Sequence, residues 1–215
     1  MFKIAHRGYC KFQQENTIFA FQDAVKHGFN VIELDIQLDK NNQIIIYHDN
    51  HIDYDAVDKL TYEEIIKRKP HVPLLSTFFK EFDYKAIQIY LDLKGSYKLA
   101  ETLHRFLIKY NIDTSKIWFA SYNLHHLDIL FKSNSNYQLG FISTNDFTLD
   151  ILTHIISKYN IQFVCFCWTI LNKETIAMLQ HRKINVFYYT LKNEKMLHML
   201  QEYCVNGIVS DILLK

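Results

Sequence analysis

The chain has 215 residues, of which 49% are hydrophobic and 22% are charged, and its formal net charge is +1. This is an ordinary globular composition, so we expect a single compact domain over residues 1–215. The near balance of basic and acidic residues gives no electrostatic reason to expect a nucleic-acid partner, and no apolar run approaches the ~20 residues of a transmembrane segment.

The cysteine pattern and the N-terminus suggest a cellular location. Four cysteines occur without a Cys-x-x-Cys pair, which favours free thiols over a disulfide. The first motif begins at residue 5, which leaves no room for a signal peptide ahead of it. We therefore expect a cytoplasmic protein, with export by another route as the alternative.

Strand-like and helix-like runs alternate along the chain. Strands are predicted at 3–6, 31–37, 87–94, 117–121, 138–143, 162–166, 185–190 and 207–210, with an additional extended piece at 44–47. Helices are predicted at 16–27, 61–68, 97–111, 124–132, 147–159, 173–181 and 194–203. Eight strands with intervening helices predict an α/β fold of the (β/α)8 TIM barrel type with short loops. A doubly wound open sheet shares this order of elements and is the main alternative.

Two of the predicted strands carry polar side chains on one face only. The polar positions are Glu33, Asp35 and Gln37 in the first of them, and Gln88, Tyr90, Asp92 and Lys94 in the second. Strand side chains alternate with period two, and the strands of an open parallel sheet are usually apolar on both faces. The alternation therefore favours a barrel whose polar face lies at its mouth, although a half-exposed antiparallel sheet would give the same pattern.

The carboxylates of these strands form a candidate metal site. Glu33 and Asp35 are two residues apart and project to the same side, and Asp92 offers a third carboxylate. Clustered carboxylates repel one another, and a divalent cation relieves that repulsion. Because the ligands are all oxygens, Mg2+ or Ca2+ is favoured over zinc. Lys94, on the same face as Asp92, can contact a phosphoryl oxygen.

Two histidines are candidates for acid/base catalysis. His6 falls at the end of the first predicted strand, where barrel enzymes keep their catalytic residues, and His48 follows the extended piece at 44–47. Arg7 offers a planar fork for a phosphate, and Gly8 lets the backbone turn. Two imidazoles on opposite sides of a phosphate can divide the proton transfers of ester cleavage. The remaining histidines are interpreted as structural.

These residues carry a resemblance to the glycerophosphodiester phosphodiesterase family. Its motifs are met at His6-Arg7-Gly8, Glu15-Asn16-Thr17, Glu33-Leu34-Asp35 and His48-Asp49, and more loosely at Pro73-Leu74, Asp92-Leu93-Lys94, Ser121-Tyr122, Tyr189-Thr190 and Asn206-Gly207-Ile208-Val209-Ser210-Asp211. The resemblance thus spans nearly the whole chain and is most specific over residues 5–49.

The resemblance implies a reaction and a role for each matching residue. It implies a TIM barrel that releases sn-glycerol 3-phosphate and an alcohol from a glycerophosphodiester, a small-molecule substrate. The implied metal ligands are Glu33, Asp35 and Asp92, the implied acid/base pair is His6 and His48, and the implied substrate-binding residues are Arg7, Lys94, Glu15 and Tyr189.

Two departures from the family pattern leave other functions open. Asp92 stands where the family usually has Glu, and Tyr189 stands where a Trp is expected. Sphingomyelinase D-like phospholipases also use Asp at the first position, so a lysophospholipase D or sphingomyelinase D-like lipid hydrolase is the alternative enzyme. Such an enzyme would contact lipid transiently through an apolar rim, for which Phe12, Tyr54 and Tyr97 are candidates. A third reading, a barrel kept only for binding, would normally have lost a catalytic residue, and none is missing.

Overall fold

The computed structural model describes residues 1–10 and 14–214. Its strands are β1 (Phe2–Ala5), β2 (Val31–Leu38), β3 (Ile44–Ile46), β4 (His51–Ile52), β5 (Asp55–Ala56), β6 (Gln88–Leu93), β7 (Ile117–Ser121), β8 (Gln138–Ser143), β9 (Ile161–Cys167), β10 (Asn185–Leu191) and β11 (Gly207–Ser210). Its helices are α1 (Ile18–Lys26), α2 (Tyr62–Arg68), α3 (Leu75–Glu81), α4 (Lys98–Lys109), α5 (Leu124–Ser133), α6 (Leu149–Tyr159), α7 (Lys173–His181) and α8 (Glu194–Leu200).

Eight parallel strands close into a barrel. They follow the order β1, β11, β10, β9, β8, β7, β6, β2, and β2 pairs again with β1 through Ile4 opposite Val31 and Ala5 opposite Ile32. In residues 1–10 and 14–214, eight helices lie outside this sheet. The prediction of a (β/α)8 TIM barrel is therefore confirmed, and the open-sheet alternative is wrong because no edge separates β1 from β2.

The two faces of each barrel strand meet different surroundings. Residues that point outward form a large apolar cluster with the helices, and Ile32, Leu34 and Ile36 of β2 belong to it. Residues that point inward alternate with these, so the inward positions of β2 include Glu33 and Asp35. The polar face predicted from the sequence is thus the inner face of the barrel.

Aromatic rings fill the inside of the barrel below this polar layer. Tyr90, Trp118, Phe163 and Phe187 form one inner cluster, in which the ring centroids of Trp118 and Phe163 are 5.2 Å apart. A Cβ at Gly140 would lie 2.1 Å from the Phe163 ring, so only glycine leaves room for that ring at this position. The barrel interior below the acidic residues is therefore packed with aromatic rings.

Several short elements are not predicted by the sequence pattern. These are α3, the hairpin of β4 and β5, and two 3-10 turns at Val57–Lys59 and Trp168–Ile170. The pieces are two to seven residues long, too short for a clear hydrophobic period. By contrast, α2 begins where predicted because Thr61 and Glu64 form a reciprocal capping box. Among the described residues, no helix combines the length and apolarity that a bilayer crossing requires.

Candidate active site

The end of β1 places three consecutive residues at the mouth of the barrel. The backbone N–H of His6 donates to the carbonyl oxygen of Ser210, which continues the pairing with β11. Arg7 and Gly8 then take positive φ angles of 54° and 83°. A Cβ at Gly8 would lie 2.7 Å from the backbone of Ala20 in α1, so this turn requires glycine.

Three carboxylates meet beside this turn. Asp35 of β2 lies opposite Asp92 of β6 in the strand register, and Glu33 lies two residues before Asp35 on the same face. One oxygen of each lies within 4.8 Å of one oxygen of each of the others. All three residues are buried, and in the part of the chain that the structure describes this is the one such group of acidic, histidine or cysteine side chains.

Two cations lie against the acidic cluster. Lys94 Nζ lies 2.6 Å from Asp92 Oδ2 and 3.3 Å from Asp35 Oδ1. Arg7 Nε lies 3.1 Å from Asp35 Oδ2, and its Nη1 donates to Glu15 Oε1 at 2.7 Å. The backbone N–H of Arg7 also donates to Glu33 Oε2 at 2.7 Å. Three carboxylates thus share two positive charges, and the cluster stays net negative when all are ionised.

Burial and mutual repulsion shift the pKa values of these acids. Burial, with the charges of Asp35 and Asp92, raises the pKa of Glu33 well above its ordinary value. Burial also raises the pKa of Asp92, to about 6, against the attraction of Lys94. For Asp35, burial alone would raise the pKa, but Lys94 and Arg7 outweigh it and the net shift is downward. Glu33 and Asp92 therefore have too little positive charge nearby to offset the effect of burial on their ionised forms.

The donor set fits a divalent cation. Asp92 Oδ1 is buried and finds no hydrogen-bond partner in residues 1–10 and 14–214. A buried carboxylate oxygen without a partner is costly, and a metal ion near the other two acids would supply one. The ligand atoms are all carboxylate oxygens, which suits Mg2+ or Ca2+.

Each of the two candidate histidines is held by an aspartate. His6 Nδ1 lies 2.7 Å from Asp211 Oδ1, and His48 Nδ1 lies 2.8 Å from Asp49 Oδ1. An ionised carboxylate only accepts hydrogen bonds, so each Nδ1 carries a proton and each Nε2 is left for the cavity. His6 and His48 thus carry the Nδ1 proton in the same way, although they come from different parts of the chain.

Two buried amides hold the machinery in place and were not recognised from the sequence. Gln37 Nε2 donates to the carbonyl oxygens of Tyr47 and Asp49, at 2.7 and 2.9 Å. These two hydrogen bonds fix the backbone on both sides of His48. Asn16 Nδ2 donates to Asp35 Oδ2 at 2.9 Å, and Asn16 Oδ1 accepts from the backbone N–H of Asp35. The sequence places Gln37 on the polar face of β2 and Asn16 in the Glu15-Asn16-Thr17 motif. Their contacts become visible only in the folded structure.

The residues predicted as site residues line one open cavity at the mouth. This central cavity has a volume of about 950 Å³, within the range of small-molecule sites. Its lining includes all nine of them: His6, Arg7, Glu15, Glu33, Asp35, His48, Asp92, Lys94 and Tyr189. The lining also includes four aliphatic residues. Ile142 and Val209 belong to the buried inner cluster, whereas Ile212 and Leu213 are partly exposed.

Exposed aromatic side chains lie on the loops that follow the barrel strands. Tyr54, at the tip of the β4–β5 hairpin, is 98% exposed, and Tyr97, just before α4, is 59% exposed. Tyr122 follows β7, is about half exposed and places its hydroxyl 3.1 Å from Lys94 Nζ. Phe12, the other predicted rim residue, lies outside the described residues.

Comparison with known proteins relates this arrangement to enzymes of phosphodiester hydrolysis. The protein YhdW of Bacillus subtilis (strain 168) is 28% identical over 98% of this chain and 94% of its own length. The human lysophospholipase D GDPD1 is 25% identical over 64% of this chain and 50% of its own length. An Oleispira antarctica phosphodiesterase, solved in complex with the product sn-glycerol-3-phosphate, has the same fold with a TM-score of 0.86, at 16% identity over 99% of this chain and 94% of that chain.

Fold and site together define a barrel enzyme that hydrolyses phosphoric diesters. The profile of the glycerophosphoryl diester phosphodiesterase family matches residues 6–214. The chain therefore belongs to this family, as its motifs predicted.

Proposed function

We propose that this protein hydrolyses glycerophosphodiesters to sn-glycerol 3-phosphate and an alcohol, with a divalent cation and two histidines. The observation that carries the proposal is the buried cluster of Glu33, Asp35 and Asp92 in the mouth of a family barrel. His6 and His48 line the cavity that contains this cluster. The product bound in the Oleispira antarctica relative supports the choice of substrate.

The three carboxylates would hold the cation. Mg2+ or Ca2+ at this place would neutralise charge on the phosphoryl oxygens and so stabilise the transition state. Arg7 and Lys94 would then add their positive charge to the same oxygens. Asn16 keeps the Asp35 carboxylate oriented through its paired hydrogen bonds, which makes it a positioning residue.

The two imidazoles would divide the proton transfers. One Nε2 would take the proton of the attacking hydroxyl, and the other would give a proton to the leaving oxygen. The attacking hydroxyl can be the substrate's own glycerol hydroxyl, which would give a cyclic phosphate that water opens. Asp211 and Asp49 are the positioning residues of this pair, because each holds one Nδ1.

A direct assay tests the proposal. Purified protein is mixed with a panel of glycerophosphodiesters, in EDTA or in excess Mg2+ or Ca2+, and sn-glycerol 3-phosphate is measured. We expect turnover with the cations and none with EDTA. Turnover that is indifferent to chelation would rule out the metal assignment, and no turnover of any diester would rule out the function.

A lysophospholipid is the second candidate substrate. The partly exposed aliphatic residues Ile212 and Leu213 in the lining of the central cavity offer an apolar surface that a bare glycerol arm does not need. The exposed aromatic side chains at the mouth and the likeness to the human lysophospholipase D support the same choice. Including lysophosphatidylcholine in the panel, with lysophosphatidic acid measured as its phosphate-bearing product, distinguishes the two candidates. Replacing the partly exposed Leu213 with Asp should impair cleavage of the acylated substrate more than cleavage of the glycerol diester.

A further inference from the structure

A third histidine lies close to the site but outside the central cavity. His126, in the first turn of α5, is fully buried. A buried imidazole is costly unless its nitrogens have hydrogen-bond partners. Nδ1 of His126 lies 2.9 Å from Ser121 Oγ, and Nε2 lies 2.9 Å from the carbonyl oxygen of Ser96. The ring therefore connects the end of β7 with the loop between β6 and α4.

The carbonyl partner fixes one proton of the His126 ring. A carbonyl oxygen only accepts hydrogen bonds, so Nε2 carries a proton and donates it to Ser96. Burial lowers the pKa of His126, which favours the neutral ring with Nδ1 as an acceptor. The Ser121 hydroxyl can donate to this nitrogen or to the carbonyl oxygen of Leu93, which lies 2.9 Å away. The hydrogen bond to Ser96 is thus the part of the connection that depends on His126 alone.

The loop that His126 contacts begins at Lys94. The backbone N–H of Lys94 donates to the carbonyl oxygen of Ile36 in β2, at 2.9 Å. Gly95 follows with a positive φ angle of 67°. Ser96 is the next residue, so His126 fixes the chain two positions after Lys94. The backbone of Lys94 is therefore fixed by β2 on one side and by α5 on the other.

The same connection involves a neighbour of the Lys94 side chain. Tyr122 follows Ser121 directly, and its hydroxyl lies 3.1 Å from Lys94 Nζ. The Lys94 ammonium group is also 4.8 Å from the centre of the Tyr122 ring. Because His126 spans the two loops, it sets the separation of the backbones from which Lys94 and Tyr122 extend.

We propose that His126 is a positioning residue of the hydrolysis, which holds Lys94 where its ammonium group meets the phosphoryl oxygens. This inference rests on the proposed function and adds a residue to its machinery. His126 is buried away from the reacting atoms, so its effect on turnover passes through Lys94. A displacement of about 1 Å in such a group can lower a rate about a hundredfold.

A double-mutant cycle separates positioning from a purely structural role. With saturating Mg2+, kcat/KM for a glycerophosphodiester is measured in the natural protein, His126→Leu, Lys94→Met and the double variant. We expect His126→Leu to lower kcat/KM about ten- to a hundredfold when Lys94 is present, and by less than about twofold in Lys94→Met. Equal losses in the two backgrounds overturn the proposal, because His126 would then act on the whole fold.

Two amide variants test the hydrogen bond to Ser96. His126→Gln keeps an N–H that can reach the Ser96 carbonyl oxygen, whereas His126→Asn is shorter by one methylene. We expect the Gln variant to keep most of the activity and the Asn variant to lose it as His126→Leu does. This pair also replaces His126→Leu in the cycle if the leucine variant does not fold. Equal activities of the Gln and Asn variants, at equal melting temperatures, overturn the role of this contact.

Amide hydrogen exchange over residues 94–97 is a readout that needs no turnover. We expect faster exchange in His126→Leu or His126→Asn than in the natural protein. His104→Leu is the matched control, since His104 of α4 is half-buried and its Nδ1 lies 2.9 Å from Tyr137 Oη. It should lower the melting temperature without changing this exchange or kcat/KM. Faster exchange with unchanged turnover overturns the positioning role alone, whereas no cleavage of any diester by the natural protein overturns the proposed function.

Discussion

The two histidine–aspartate pairs have nearly the same geometry but are built in different ways. His6 and Asp211 are 205 residues apart and meet because β1 lies beside β11 in the barrel. His48 and Asp49 are neighbours in one loop. The Asp211 side chain is 40% exposed and the Asp49 side chain is 67% exposed, so water screens the second pair more strongly.

The same histidine–aspartate geometry can thus depend on different parts of the fold. The position of the first pair depends on the strand pairing that closes the barrel. The second pair depends on Gln37, whose amide holds the loop on both sides of His48. We infer that the carboxylate matters more in the first pair, whereas the backbone support matters more in the second.

The largest effect is expected when either imidazole is removed. His6→Ala and His48→Ala should each lower kcat at least a hundredfold, because each deletes one of the two proton transfers. Steady-state kinetics measures the loss, and circular dichroism and a thermal melt check that the fold is intact. If one variant kept most of the activity, the two histidines would not share the work.

The next effect concerns the proposed cation at the acidic cluster of Glu33, Asp35 and Asp92. With the Asp92 pKa raised to about 6, this acid is mostly protonated at pH 5 and mostly ionised at pH 7. Protons compete with the cation for it, so the affinity for Mg2+ or Ca2+ should rise about tenfold or more over this range. Calorimetric titration at both pH values measures the change, and Asp92→Asn should bind more weakly with a shallower pH dependence. An affinity that is independent of pH would contradict the placement of the metal on Asp92.

A smaller effect on kcat is expected when the aspartate of the less exposed pair is replaced. Asp211→Asn should lower kcat about tenfold, because a neutral amide replaces a charge-assisted hydrogen bond to a half-buried imidazole. The split between kcat and KM is the second readout, since the carboxylate supports proton transfer by His6 and should leave KM unchanged. A variant with unchanged kcat and a lower melting temperature would show that Asp211 serves only the fold.

The smallest effect is expected at the exposed pair. Asp49→Asn should lower kcat only two- to threefold, since the measured worth of exposed ion pairs is small. The direct comparison with Asp211→Asn, under the same salt and metal conditions, is the measurement. Equal losses in the two variants would show that exposure does not distinguish the pairs.

Much of the barrel and its acidic site could be predicted from the sequence, because the decisive signals are local. The alternation in β2 and β6 shows that Glu33, Asp35 and Asp92 share one face, and the register then brings Asp35 opposite Asp92. The partner of His6 could not be found in this way. Asp211 ends the motif at residues 206–211, but its contact with His6 depends on the closure of the barrel, which no local period encodes.

The supporting contacts escaped prediction for the same reason. The alternation in β2 predicts that Gln37 points into the barrel. Its hydrogen-bond partners are backbone carbonyl groups of a loop, and no sequence pattern predicts such partners. Tyr122 lies in a family motif that implies no role for it. The structure shows that its hydroxyl contacts Lys94.

The pairing of β1 with β11 has a consequence for how the protein matures. During synthesis on the ribosome, β11 is the last strand of the barrel to emerge, so a nascent chain can gather its acidic residues before His6 has its carboxylate. Without β11 the barrel is open between β1 and β10, and the carboxylate that orients His6 is absent. Full catalytic competence therefore waits for the last strand to dock.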